Sequence, residues 1–179
     1  TKNLGCFGDG GLIAVKNKKL YESLLKLRTH GGIKRNQHDM IGYNSRLDEI
    51  QAAILDIKLK HIDKLIKQRI HVAETYHRLI RNENIRLPYR DINGRHTFNQ
   101  FTIRVKNRNK LEKHLNKHKI PYGVYYPKPI YKYKAYAHNK CDELPMAEKV
   151  SNECLSLPIY PELEFKNIKT ISNVLNDYK

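Results

Sequence analysis

The chain has 179 residues, enough for one compact domain or for one domain and part of a second. Its formal net charge of +16 comes from 34 Lys and Arg against 18 Asp and Glu, and the basic residues are spread along the whole sequence. Because they form no dense run and no nucleic-acid-binding motif, the composition favours solvated basic faces and argues against nucleic acid as a partner.

The cysteines and the apolar residues indicate the compartment. The three cysteines are an odd number and lack Cys-x-x-Cys spacing, which argues against a disulfide scaffold or a zinc site. No apolar run approaches the roughly 18 residues that a membrane-spanning helix needs, and no signal peptide is recognisable. We therefore expect a cytoplasmic protein without a membrane partner.

The N-terminal third predicts a strand followed by a helix. Residues 12–15 are apolar and follow two glycines, as expected of a short strand. Leucines recur at helical spacing over residues 18–29, and a His-Gly-Gly sequence at 30–32 supplies a glycine at which such a helix can end. Residues 33–43 are polar and irregular, and predict a loop.

The longest helical pattern begins at Ser45 and continues to Ile80. Its first four residues, Ser-Arg-Leu-Asp, resemble a capping box. The spacing is compatible with one helix or with two helices joined near Lys60, and it leaves this choice open.

The C-terminal half alternates between strands and helices. Apolar and polar residues predict strands over residues 97–105 and 124–126. Helical spacing predicts helices over residues 107–119, 146–155 and 164–178. This order indicates an α/β fold with a small mixed sheet.

The histidines indicate no metal site. His114 and His118 are four residues apart on a predicted helix, but no acid or third ligand accompanies them, so a solvated face is the better interpretation. The segment His-Thr-Phe-Asn-Gln-Phe at residues 96–101 is interpreted as part of a sheet core.

A glycine-rich segment opens the chain. Residues 1–11 read Thr-Lys-Asn-Leu-Gly-Cys-Phe-Gly-Asp-Gly-Gly, and such glycines suit a tight backbone turn close to a ligand. Lys2 can act as a nucleophile where burial or a neighbouring cation keeps its amine neutral. Without such an environment it is a solvated lysine near a chain end. The residues alone leave both interpretations open.

A second segment lies where the long helical pattern begins, and residues 42–46 of it read Gly-Tyr-Asn-Ser-Arg. A helix N-terminus has free N–H groups and the positive end of the helix dipole, which suit a phosphate or a carboxylate. Asn44 and Arg46 are therefore candidates for binding an anion. The alternative is that Asn44 and Ser45 only cap the helix.

The two segments together resemble the lysine loop and the following motif of the DegT/DnrJ/EryC1/StrS family, the sugar aminotransferases that use pyridoxal phosphate. The spacing between Lys2 and Asn44, 42 positions (44 − 2 = 42), is similar to that of the family. Residues 124–131 read Val-Tyr-Tyr-Pro-Lys-Pro-Ile-Tyr and resemble a later landmark, as do residues 144–148 and 155–161. The resemblance extends over essentially the whole chain.

The resemblance implies the C-terminal portion of a fold-type-I transferase, an α/β fold. Residues 1–58 are then a remnant of the cofactor-binding large domain with the start of the long interdomain helix. Residues 59–179 are the small C-terminal α/β domain. In the family roughly half of the chain precedes the lysine, so we expect this sequence to be a C-terminal half, inactive alone. The N-terminal half is then either part of a longer chain or a separate chain that acts as a further partner.

The resemblance also implies two cofactor-binding residues. Lys2 corresponds to the catalytic lysine that forms the Schiff base with pyridoxal 5'-phosphate and moves the proton during transfer. Asn44 corresponds to the residue that reaches the cofactor phosphate of the neighbouring subunit.

The substrate-binding residues implied by the resemblance are Arg46, Tyr125, Tyr126 and Tyr131. Arg46 corresponds to an arginine near the substrate, and the tyrosines belong to the segment that contributes to the sugar-nucleotide site. Tyr125 and Tyr131 stand where histidine is common in the family. Because tyrosine does not supply a cation near neutral pH, these two positions alter the substrate contacts.

The implied reaction transfers an amino group from L-glutamate to a keto-sugar nucleotide, a UDP- or dTDP-linked 3-oxo or 4-oxo sugar. The segments are most similar to enzymes that act on 3-oxo sugars of UDP-linked uronic acids in cell-surface polysaccharide biosynthesis, such as that of lipopolysaccharide O-antigen. The implied assembly is a homodimer with active sites at the subunit interface. The alternative is a catalytically inactive fragment that serves as a dimerising or polyanion-binding module.

Overall fold

The computed structural model describes residues 2–91, 93–136, 138 and 142–179. The chain divides into two compact units, Thr1–Ile62 and Asp63–Lys179. No helix in the described ranges combines the length and the apolar character needed to cross a membrane.

The first unit contains two helices. Helix α1 spans Lys18–Arg28, and the side chain of Asn17 caps it by accepting a hydrogen bond from the Leu20 amide at 3.0 Å. Helix α2 spans Glu49–Lys60. The predicted end of α1 is confirmed, since Gly31, with φ of +87°, takes the left-handed conformation that a glycine adopts at low cost.

The predicted strand at residues 12–15 is wrong. These residues form no strand, and Leu12 and Ile13 are 88% and 72% exposed. A strand requires a neighbouring strand to receive its backbone hydrogen bonds, and the described part of the chain supplies none here. The apolar run therefore remains on the surface of this unit.

The predicted capping box at residues 45–48 is also wrong. Helix α2 begins at Glu49, and Asp48 occupies the N-cap position without a side-chain capping bond. The Ser45 amide donates to the Arg28 carbonyl at 3.0 Å, so this residue is paired with the end of α1 before the helix begins.

The second long helix, α3, spans Ile62–Leu79 and follows α2 after His61. The long helical pattern is therefore two helices, one of the two alternatives that the spacing allowed. Helices α4 (Arg108–Lys117), α5 (Pro145–Glu153) and α6 (Phe165–Asn176) confirm the three later helices with shorter bounds.

The sheet of the second unit is antiparallel. Strand β1 (Phe101–Arg104) pairs with β2 (Cys154–Leu157), with Phe101 opposite Leu157. Single antiparallel bridges add Arg86 beside Arg104 and Gly123 beside Ser156. The expected mixed sheet is thus wrong for the described strands, and the predicted strand at residues 124–126 is replaced by the bridge at Gly123.

The hydrophobic core belongs to the second unit. Tyr76 of α3 is fully buried, and its ring lies 5.0 Å from that of Phe101 on β1. Ile103, Leu155 and Leu175 complete the centre of this core with no exposed surface. In the first unit, by contrast, no large hydrophobic side chain among the described residues is buried. The second unit is consequently the part of this chain that is stabilised by its own core.

Helix α3 also holds the segment that follows β2. The Tyr76 hydroxyl donates to the Pro158 carbonyl at 2.9 Å, and the Arg69 guanidinium donates to the Ile159 carbonyl at 2.9 Å. Burial raises the pKa of Tyr76 well above its ordinary value and lowers that of Arg69. Tyr76 donates as a neutral hydroxyl and Arg69 as a charged guanidinium. Together they fix the path of the chain after the sheet.

Candidate active site

Lys2 lies in an irregular segment of the first unit and is exposed. Glycines at positions 5, 8 and 10 shape this segment. The Cys6 thiol donates to the Gly8 carbonyl at 2.9 Å, which closes a local turn. The segment contacts α2 through side chains of that helix, so its position depends on the first unit and not on the chain end alone.

Asn44 is placed by backbone pairing with the end of α1. It forms an antiparallel bridge with Thr29. On one side of it the Tyr43 amide donates to the Leu27 carbonyl at 2.6 Å, and the His30 amide donates to the Tyr43 carbonyl at 2.9 Å. The residue therefore lies in an extended segment whose backbone is held from both sides.

Two glycines allow this pairing. A Cβ atom on Gly42 would overlap the backbone of Gly31, and one on Gly31 would overlap the Met40 carbonyl. The backbone around Gly31 thus lies in direct contact with the backbone around Gly42, and only glycine permits such a close approach at these positions. An ion pair between Lys26 and Asp39, 2.5 Å apart, closes the same loop. The hydrogen bond and charge of Lys26 lower the pKa of Asp39.

Asn44 and Arg46 interact directly. The Arg46 Nε donates to Asn44 Oδ1 at 2.9 Å. Because a guanidinium only donates, the oxygen of the amide must face Arg46 and its Nδ2 must point away. Within the described residues this Nδ2 makes no further hydrogen bond. The pair therefore presents an amide donor beside a cation, both on exposed side chains.

The position of this pair corrects the expectation that a helix N-terminus contributes to its positive potential. Asn44 and Arg46 lie before Glu49, where α2 begins, so they are not at a helix N-terminus. The helix dipole, which acts within the first turn, is not the local source of positive potential. The donor groups of the two side chains supply it instead.

In the second unit Tyr125 and Tyr126 are accessible, at 48% and 69% exposure. Their ring centroids lie 5.9 Å apart in an edge arrangement. A Cβ atom on Gly123 would come within 2.7 Å of the Tyr125 ring, so the absence of a side chain at Gly123 makes room for it. The two rings offer hydroxyl groups and apolar faces to a partner.

Tyr131 is held by a short network. Its hydroxyl donates to Glu148 Oε1 at 2.6 Å, and Lys132 Nζ pairs with Glu148 Oε2 at 2.6 Å. The hydrogen bond to Glu148 raises the pKa of Tyr131 and that of Lys132, while Lys132 and then Tyr131 lower the pKa of Glu148. The Tyr131 hydroxyl proton is thus directed to α5.

The predicted site residues fall into two groups. Lys2, Asn44 and Arg46 belong to the first unit, and the direct contact among them is that between Asn44 and Arg46. The three tyrosines belong to the second unit.

Sequence reasoning missed the role of Glu148, which holds Tyr131 and Lys132 of the following loop. Its only sequence signal is its position in the Leu-Pro-Met-Ala-Glu segment at residues 144–148, one of the later family landmarks. Among the described residues no cluster of His, Cys, Asp and Glu could hold a metal ion.

The family model of the DegT/DnrJ/EryC1/StrS aminotransferase family matches residues 1–176. The chain belongs to this family. The resemblance inferred from the lysine loop and the later landmarks is thereby confirmed, and with it pyridoxal phosphate as the cofactor that the family indicates.

Curated relatives and a solved structure agree with this membership. The chain is 42% identical over 169 residues to a pleiotropic regulatory protein of Geobacillus stearothermophilus, covering 92% of this chain and 45% of the relative. It is 35% identical to the UDP-2-acetamido-2-deoxy-3-oxo-D-glucuronate aminotransferase of Pseudomonas aeruginosa, covering 99% and 49% respectively. The structure of Streptomyces venezuelae DesV, solved with a ketimine intermediate, matches with a TM-score of 0.93 at 37% identity, over 99% of this chain and 48% of that one.

These matches confirm the predicted fold class, that of the fold-type-I sugar aminotransferases, over the length of this chain. The chain spans about half the length of the curated relatives it matches. Its relatives include nucleotide-sugar aminotransferases that are named for UDP-linked and for dTDP-linked sugars.

Proposed function

We propose that this chain forms part of a pyridoxal-phosphate-dependent aminotransferase that transfers an amino group from L-glutamate to a keto-sugar nucleotide. The observation that carries the proposal is the Asn44–Arg46 pair, whose hydrogen bond turns the amide donor of Asn44 outward beside a guanidinium. Amide and guanidinium donors suit phosphate and carboxylate oxygens, which both the cofactor and the substrates contain.

The side chains of the first unit fit the cofactor. Lys2 would hold it covalently through Nζ, and the amide of Asn44 would donate to a phosphate oxygen of the cofactor bound by the neighbouring subunit. When bound, pyridoxal phosphate supplies the electron sink that makes the substrate α-proton acidic. Lys2 Nζ, freed when the substrate amine takes its place on the cofactor, would then carry that proton between the substrate carbon and the cofactor, acting as a general base and acid.

The remaining site residues would bind the sugar nucleotide. Arg46 is assigned to an acidic group of the substrate, and the exposed Tyr125 and Tyr126 to the sugar. The relative from P. aeruginosa is named for a 3-oxo uronic acid linked to UDP. Together with the sequence landmarks, that name favours a UDP-linked 3-oxo uronic acid over a 4-oxo sugar for this chain.

A homodimer with active sites at the subunit interface completes the proposal. The first unit has no buried hydrophobic core of its own in its described part, and it exposes Phe7, Leu12, Ile41 and Ile50 by 70% or more. Apolar side chains exposed in such number are typical of a surface that is covered in the assembly. Asn44 belongs to the same unit, and in this assembly it would reach the cofactor bound by the neighbouring subunit.

The proposal is tested by borohydride reduction in the presence of pyridoxal phosphate, followed by peptide mass mapping. The chain is assayed alone and together with the part of the P. aeruginosa relative that it does not cover. In the combined sample we expect the label at Lys2, abolished transamination in Lys2→Ala, and no effect of Lys16→Ala, another exposed lysine of the same unit. The chain alone should be inactive. A label that favours any other lysine would contradict the proposal.

A further inference from the structure

The segment that carries Lys2 runs antiparallel to helix α2. Going along the segment from residue 5 to residue 10, its partners come from positions 58, 51 and 47 of the helix region. A Cβ atom at Gly10 would lie 3.3 Å from a methyl group of Leu47. The contacts thus follow each other in sequence along both segments. The two segments therefore pack against each other over this whole length and not at a single point.

Gln51 makes the central contact. Its Oε1 accepts a hydrogen bond from the Phe7 amide at 2.7 Å, across 44 positions of sequence. Its Nε2 lies 3.0 Å from the position of a Cβ atom on Gly8. The carboxamide therefore lies directly against the backbone of the segment, and the missing side chain at Gly8 makes that approach possible.

Lys58 makes the contact nearest to Lys2. Its ammonium group donates to the Gly5 carbonyl at 2.5 Å and lies 5.8 Å from the centre of the Phe7 ring. Gly5 in turn packs on the backbone of Lys2, since a Cβ atom on Gly5 would lie 3.6 Å from the Lys2 carbonyl oxygen. Lys58 is thus connected to the Lys2 backbone through one intervening residue.

We infer that Gln51 and Lys58 are positioning residues for Lys2, an inference that rests on the proposed function. Lys2 is exposed, so packing of its own side chain does not hold it. Its reach is set by the backbone of the segment, and both helix side chains bind that backbone. A reactive amine gains rate when its position is set before the reaction. Helix α2 sets the position of the Lys2 segment here. It does so with two side chains that are seven residues apart and hence on one helix face.

The test uses paired substitutions. Gln51→Leu and Lys58→Met remove the two hydrogen bonds, whereas Gln51→Glu keeps an oxygen acceptor and Lys58→Arg keeps a cationic donor. Glu49→Gln, at an exposed position of the same helix, serves as the control. Hydrogen exchange at the Phe7 amide reports the position of the segment, and borohydride labelling with pyridoxal phosphate reports the reactivity of Lys2.

We expect Gln51→Leu to accelerate exchange at the Phe7 amide and to reduce the share of label at Lys2, each by about fivefold, as for the loss of one hydrogen bond. Gln51→Glu and Lys58→Arg should restore the labelling, a rescue that general destabilisation of the helix would not produce. Lys58→Met should reduce labelling while far-UV circular dichroism stays unchanged.

The outcomes separate this inference from the proposed function. Normal labelling of Lys2 in Gln51→Leu and Lys58→Met would overturn the positioning role and leave the proposed function intact. Unchanged exchange at the Phe7 amide in Gln51→Leu would likewise overturn it. Absence of Lys2 labelling in the unsubstituted chain, assayed together with the part of the P. aeruginosa relative that it does not cover, would overturn the proposed function, and the positioning role with it.

Discussion

Replacing Tyr76 by Phe tests whether the buried hydroxyl of α3 stabilises the second unit. Tyr76 is fully buried, and its hydroxyl donates to the Pro158 carbonyl at 2.9 Å. The substitution keeps the ring against Phe101 and removes only the donor. Pro158 is half-buried, so water replaces the lost bond in part. We expect the free energy of unfolding to fall by about 1–2 kcal/mol, the usual cost of losing one such partner.

The assay is urea unfolding followed by circular dichroism, since the chain has no tryptophan. With a slope of about 2 kcal/mol per molar urea, the midpoint should shift down by roughly 0.5–1 M. Tyr76→Ala, which also removes the ring, should cost about 3–5 kcal/mol. Tyr89→Phe is the control, because Tyr89 is 82% exposed. A Tyr76→Phe midpoint equal to that of Tyr89→Phe would refute the reasoning.

Three further predictions concern pH, loop order and assembly. Burial, with a smaller contribution from Arg90, lowers the pKa of His77, so the folded state resists its protonation. The free energy of unfolding should therefore fall as the pH drops below about 6.5, where the unfolded state takes the proton. In urea unfolding at several pH values, His77→Gln should flatten that dependence. Glu148→Gln should speed tryptic cleavage after Lys132, because the ion pair between the two residues is lost. Since the pKa of Glu148 is lowered, this ion pair is complete at pH values above the pKa of Glu148 in the unfolded chain, and it is lost as the pH falls through the pKa in the folded chain. Cleavage that is equally fast in both proteins at pH 8 would contradict the network. Ile41, 93% exposed, should contribute to the proposed subunit interface, so Ile41→Lys should lower the mass measured by light scattering, and an unchanged mass would remove Ile41 from that interface.

The sequence by itself determined the features that depend on near neighbours. Helical spacing predicted α1, α3, α4 and α6, because residues three and four apart share a helix face wherever the helix packs. The family landmarks identified the family, since they are short strings of residues read in order. The roles assigned to the candidate site residues remain predictions from that resemblance.

Only the tertiary structure decided the features that join distant positions. Strand β2 begins at Cys154, where the sequence still reads as helix, because pairing with β1 across some fifty positions outweighs local preference. The bridge between Thr29 and Asn44 likewise pairs the segment before α2 with the end of α1. The hydrogen bonds from the Phe7 amide to Gln51 and from the Tyr131 hydroxyl to Glu148 span 44 and 17 positions. No local pattern reports such contacts, because they depend on the path that the chain takes between the two partners.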